Sequence, residues 1–194
     1  MERACTQKTR ETRKRLNAAG TTALLLASLS MTIGCNTKNK PTPQNFTRAI
    51  NAYYLERSEC LFPNMRFPYA TADPEETKQM NALVRARLLE SSYESAVKTT
   101  RYTVSRTGQR FAPRFCYGHR EVTSIDNFTP PSKGPSGFPE TVVNYHYTLK
   151  DVPVWAQSSD IAGAFPKMAQ ATTKDGSDKI SLAQTLAGWQ VPER

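Results

Sequence analysis

The chain is poor in the residues that advertise chemistry. It has two histidines and four cysteines in 194 residues. The cysteines form no C-x-x-C pair, which removes the usual spacing of a zinc or dithiol redox site. There is no H-E-x-x-H motif, no glycine-rich phosphate loop ending in Lys-Ser or Lys-Thr, and no G-x-S-x-G turn. Metalloprotease, nucleotide-triphosphate and α/β-hydrolase chemistries therefore lack their signatures. Two histidines without a third ligand make a weak metal site, so no metal and no other cofactor is expected. Long apolar runs are also missing. The charge-free stretch 18–34 is diluted by Thr21, Thr22, Ser28, Ser30 and Thr32. A stable spanning helix needs about 20 predominantly apolar residues, so this stretch is a poor permanent anchor. Acidic residues are in deficit, 17 against 26 lysines and arginines, for a net charge of +9.

What is present is concentrated at the start. Residues 1–17 hold Arg3, Lys8, Arg10, Arg13, Lys14 and Arg15 against Glu2 and Glu11. The stretch 18–34 follows, centred on Leu24-Leu25-Leu26, and ends in small residues before Cys35. Basic start, short apolar middle and small end are the three zones of an export signal. Thr32-Ile33-Gly34-Cys35 resembles a lipobox, the site read by the lipoprotein signal peptidase of bacteria. That family usually has Leu where Thr32 stands. The resemblance implies that Cys35 is acylated, becomes the new N-terminus and holds the protein to a bilayer, because several buried acyl chains anchor stably. It also implies a place in the cell envelope, facing the periplasm or the surface. Asn36 in place of Asp implies the outer membrane if the host is Gram-negative. Two other readings stand beside it. Ser28-Leu29-Ser30 is a candidate plain cleavage site, giving a secreted protein with Cys35 free, and the stretch could remain uncleaved.

On the lipoprotein reading Cys5 leaves with the leader and Cys35 is consumed by lipid. Cys60 and Cys116 remain, and an exported domain with two cysteines usually pairs them. The alternative is two separately buried thiols. The expected organisation is a signal peptide over 1–34, a lipidated cysteine and polar spacer over 35–45, and one domain over 46–194. That length suffices for one core.

Helical spacing of Phe46, Ile50, Tyr53 and Tyr54 predicts a helix over 45–58, with Asn45 as its N-cap. Asp73, Pro74 and Glu76 mark a second helix start with a capping box. Its stripe of Met80, Leu83, Val84, Leu88 and Leu89 predicts a run to Ser92. Alternation predicts strands over 100–108, 120–128 and 141–150, with a Pro/Gly/Ser loop over 129–139. Beyond 150, Trp155 is expected to dock on the core. Residues 161–169 are expected to make a short helical turn, and 181–191 either a short helix or an edge strand. The fold class expected is α+β, N-terminal helices packed on a small antiparallel sheet. Asn81–Ser92 followed by Arg101–Phe111 resembles the winged-helix pattern, in which a helix ends in a Leu pair and a hairpin follows. Arg87 stands where that pattern usually has Gly, and Val104-Ser105 where it has Leu-Thr. The resemblance is taken to imply shape and not DNA binding.

Residues 85–121 carry eight cations, Arg85, Arg87, Lys98, Arg101, Arg106, Arg110, Arg114 and Arg120, against three glutamates. Such a run is a candidate polyanion-binding surface; it equally reads as a solvated face. His119 and His146 are the only candidate general bases, and a pocket joining either to Asp126, Glu140 or Asp160 would mark a hydrolase. The first expectation is a non-enzymatic, membrane-anchored envelope lipoprotein that binds a protein or an anionic envelope polymer. A small envelope hydrolase is the alternative, and a cytosolic winged-helix DNA-binding protein the second. No nucleic-acid partner is expected of an exported chain.

Overall fold

Alternating apolar and polar residues over 116–150 build the largest element of the protein. The computed structural model describes residues 37–135 and 137–192, so Cys35 and the leader lie outside the described residues. In chain order the elements are helix α1 (Pro43–Leu55), strands β1 (Glu59–Cys60) and β2 (Tyr69–Thr71), and helix α2 (Pro74–Arg85). Strands β3 (Leu89–Glu94), β4 (Thr99–Val104), β5 (Cys116–Phe128), β6 (Ser132–Lys133) and β7 (Pro139–Lys150) follow. Helices α3 (Ser159–Ala164) and α4 (Pro166–Thr173) precede strands β8 (Gly176–Thr185) and β9 (Gly188–Gln190). The fold is α+β with antiparallel strand pairing, as expected.

One sheet has the order β1-β5-β7-β8-β9, with β6 also on β7; the other has the order β2-β4-β3. On β7, Val143 and Tyr145 point into the protein and Val142 points out, as a period of two requires. Helix α1 lies on the inward face of the larger sheet. Phe46 and Ile50 from α1 meet Val122, Val143, Tyr145, Leu182 and Trp189 in one apolar cluster. A second cluster joins α2, the smaller sheet and α3 through Met80, Leu83, Leu89, Tyr102, Phe115 and Ile161. The single core expected from length is thus resolved into two clusters. Trp155 docks in the second, on Phe111 and Phe115.

Several local expectations are corrected. The N-cap of α1 is Thr42 and not Asn45: its hydroxyl accepts from the Asn45 N–H at 3.4 Å, and Pro43 occupies the first turn. Asp73 does cap α2, accepting from the Glu76 N–H at 2.8 Å. The Glu76 carboxylate turns away from the capping box and accepts from the hydroxyls of Tyr69 and Thr71, both at 2.6 Å. Helix α2 stops at Arg85, not at Ser92. Arg87 takes a left-handed conformation, φ 60°, and the Leu88 N–H bonds back to the Leu83 carbonyl at 2.9 Å. This is a Schellman end, and Leu88-Leu89 then open strand β3. The helix-like spacing of the Leu pair was accidental, because both leucines are buried in either conformation. Arg87→Gly should raise stability by about 1 kcal/mol, since glycine adopts this conformation without a Cβ penalty. Urea unfolding checks it; an unchanged midpoint would contradict the strain.

Residues 181–191, left open between helix and strand, form the β8–β9 hairpin. The loop over 129–139 contains β6, and Pro166 starts a further helix, α4, that the sequence reading missed. The α2–β3–β4 arrangement follows the expected helix-then-hairpin order, but the winged-helix resemblance is not confirmed. The segment expected as a spacer is docked where it is described. Asn45 Nδ2 donates to the carbonyls of Thr37 and Lys40 at 2.8 and 2.9 Å, and Trp189 Nε1 donates to Lys40 at 3.1 Å. Gln184 Nε2 holds Asn39 at 2.9 Å.

Candidate functional site

The most developed concavity lies between α1 and the β8–β9 hairpin. Its helix wall is a stripe at three- and four-residue spacing, Asn45, Arg48, Ala49, Ala52 and Tyr53, extended by Arg57 just past the end of α1. Its other wall is Trp189, Val191 and Pro192, which follow the turn at Gly188. Small residues, Ala49, Ala52, Ala183 and Ala187, leave the volume open, about 800 Å3. A second hollow of about 810 Å3 shares Tyr53, Arg57, Val191 and Pro192 and adds Tyr54 and Lys179 at the edge of β8. The rim of this double groove carries Lys38, Arg48, Arg57 and Lys179, and no Asp or Glu is among its described lining residues. Arg57 is positioned by the Tyr53 ring, 4.1 Å from its centroid, and by the Tyr53 carbonyl at 3.4 Å. Cations above an apolar floor favour a ligand that is anionic at one part and apolar at another.

Beside the groove, but facing inward, sits the strongest ionic cluster of the fold. Arg120 on β5 donates to Glu59 of β1 and to Asp178 of β8, both at 2.6 Å. Its guanidinium stacks over the rings of Tyr147 and Tyr54, at 4.5 and 5.0 Å. Burial works to lower the pKa of Arg120, but its bond to Asp178 and the field of Glu59 prevail and raise it. Tyr145, bonded to the Tyr54 hydroxyl at 3.1 Å, is pushed up by burial first and by that bond second. All the lone charges are answered within the cluster. It ties β1, β5, β8 and α1 together.

The eight cations expected as one polyanion surface do not form one. Arg120 is interior. Arg85 pairs with Asp160 at 3.1 Å and Arg101 with Glu94. Lys98 lies in the β3–β4 turn, while Arg87, Arg106 and Arg110 are exposed at the other end of that hairpin. Arg110 also stacks 4.8 Å from the Phe111 ring centroid, and Arg114 is exposed next to the hollow at 110–116. The run 85–121 spreads these residues from the end of α2 over a hairpin some 20 Å long, at roughly 3.3 Å per residue, and on to β5.

The chain matches no known family model, no curated protein and no solved structure.

Each histidine does find a carboxylate. His146 Nε2 lies 3.1 Å from Asp126 Oδ2, and His119 Nδ1 lies 3.4 Å from Asp151 Oδ2. His146 and Asp126 are roughly half exposed on the outward sheet face, where a bulge in β5 brings Asp126 across to β7. Neither histidine lines the groove or the smaller hollows at 110–116 and 152–173. Asp160 serves Arg85, and Glu140 lies beside Gly134 rather than at a histidine. None of these four hollows is the histidine–carboxylate pocket that the hydrolase reading requires. No cluster of three or more His, Cys, Asp or Glu able to hold a metal occurs among the described residues either.

The groove cations Lys38, Arg48, Arg57 and Lys179 escaped the sequence reading, which weighed charge by local density. A usable signal existed: Arg48, Ala49, Ala52 and Tyr53 fall on one face of the helix expected over 45–58, which is observed over Pro43–Leu55 with Arg57 just beyond it.

Proposed function

We propose that this protein is a non-enzymatic lipoprotein of a bacterial envelope, held to a membrane by acylated Cys35, that binds an anionic envelope component through the α1/β9 groove. The observation that carries the reading is the groove itself: four cations, no carboxylate among its described lining residues, and Lys38 on its rim only three residues beyond Cys35. Two further features support it. The leader has the charge and hydropathy zones of an export signal. Cys60 and Cys116 are joined in a disulfide, which persists in oxidising compartments. The described part of the spacer is docked, so an anchor at Cys35 would hold the domain close to the bilayer and not on a long leash. No helix among the described residues is long and apolar enough to cross a membrane.

The test is palmitate labelling in the host. Cys35→Ala is expected to abolish radiolabelled palmitate incorporation and leave unprocessed precursor. Undiminished labelling of the variant would remove the lipobox and with it the anchored reading.

A further inference from the structure

We infer that the occupant of the groove is the phosphate headgroup of an anionic phospholipid in the membrane that carries Cys35. The inference rests on the anchored reading and adds the ligand. Three residues of extended chain reach at most about 11 Å, so Lys38 stands at headgroup depth when Cys35 is inserted. The groove runs from Lys38 along α1 past Arg48 to Arg57, so its cations begin at the level where phosphates lie. The rim adds an apolar contact. Leu186, at the β8–β9 turn, is 98 % exposed. Gly188, two residues on, packs so close that a methyl there would stand 3.5 Å from the Lys38 carbonyl. Leu186 and Lys38 therefore belong to one end of the domain. Cations beside an exposed leucine match an interface whose phosphates lie just above acyl chains. The Ala49 and Ala52 floor, with Tyr53 and Trp189 as walls, takes the glycerol and first methylenes. A soluble acidic protein would use the cations but leave Leu186 without a partner.

The experiment uses the host-processed full chain in detergent, with dioleoylphosphatidylglycerol or dioleoylphosphatidylcholine added, read by native mass spectrometry. The wild type should retain phosphatidylglycerol and hold phosphatidylcholine weakly. Lys38→Glu/Arg48→Glu should lower phosphatidylglycerol occupancy by about tenfold. Arg106→Glu/Arg110→Glu, on the hairpin, should leave it unchanged. Equal retention of the two lipids, or undiminished occupancy in Lys38→Glu/Arg48→Glu, overturns the inference. A second measurement places the end of the domain. An environment-sensitive dye on Leu186→Cys should shift to the blue in phosphatidylglycerol-containing nanodiscs, and water-like emission would overturn the placement. The protein mass in the same spectra reports acylation separately. A missing acyl mass removes the anchored reading, whereas a full acyl mass with no lipid retained removes only the headgroup assignment.

Discussion

Replacing Cys60 or Cys116 with serine is expected to lower the unfolding free energy by about 4 kcal/mol, and replacing both should cost no more than either alone. The bridge closes a loop with a sequence separation of 56. Its loss returns that loop's freedom to the unfolded chain. The native state suffers too, because β1 is only two residues long and pairs with β5 at Glu59–Gly118 and Cys60–Cys116. Without the bond across that second pair, the strand is held by its short ladder and by the Glu59–Arg120 pair. The measurement is urea unfolding with and without reductant. Reductant should bring the wild type to the variants' midpoint and leave the variants unmoved. Strictly additive losses in the double variant would contradict a shared bond. The change in melting temperature should be roughly 10 °C for a domain of this size.

Arg120→Met is expected to destabilise by about 2 kcal/mol, less than for a fully buried pair because Glu59 and Asp178 keep part of their exposure to solvent. Glu59 and Asp178 would then both lose the cation they share. The discriminating arm is the triple variant. Adding Glu59→Gln and Asp178→Asn to Arg120→Met removes the stranded charges and should recover about 1 kcal/mol or more. No recovery would mean that Arg120 acts through the packing of its stem on Tyr54 and Tyr147, not through its charge. The cluster also couples to the disulfide, since Glu59 adjoins Cys60. Arg120→Met combined with Cys60→Ser should therefore lose less than the sum of the two.

The elements that were legible in sequence are those decided by short-range rules. Asp73-Pro74 reads as a helix start because an extended N-cap and a fixed proline φ suffice to begin one. Thr141–Lys150 reads as a strand because Val143, Tyr145, Tyr147 and Leu149 alternate with polar partners. The errors fall where two local rules agree with two outcomes. Leu88 and Leu89 suit a helix stripe or a buried strand start, and the left-handed turn at Arg87 decides between them. No glycine marks that turn. Ser181–Val191 was ambiguous for the same reason: Ala, Leu and Gln have helical propensity, yet pairing with the free edge of β7 wins.

Charge was the least legible quantity. The run 85–121 looks basic on paper, but Asp160, Glu59 and Asp178 arrive from distant parts of the chain to answer Arg85 and Arg120, and Glu94 answers Arg101 across the β3–β4 hairpin. The groove cations are scattered over positions 38, 48, 57 and 179 and gather only when α1 lies against β8 and β9. His146 and Asp126 meet through a strand register that carries no local signature.

By itself the sequence determined the α+β class, both principal helix sites, the long central strands and the availability of Cys60 and Cys116 for one another. Those follow from periodicity, caps and counting, which act within a few residues or over the whole composition. Only the tertiary structure decided that two apolar clusters form, that Arg120 is an internal tie, and that a cation-rimmed groove with no carboxylate among its described lining residues opens beside Lys38. Those depend on register and on helix placement, where energies are set by groups far apart in the chain and no short stretch contains both partners.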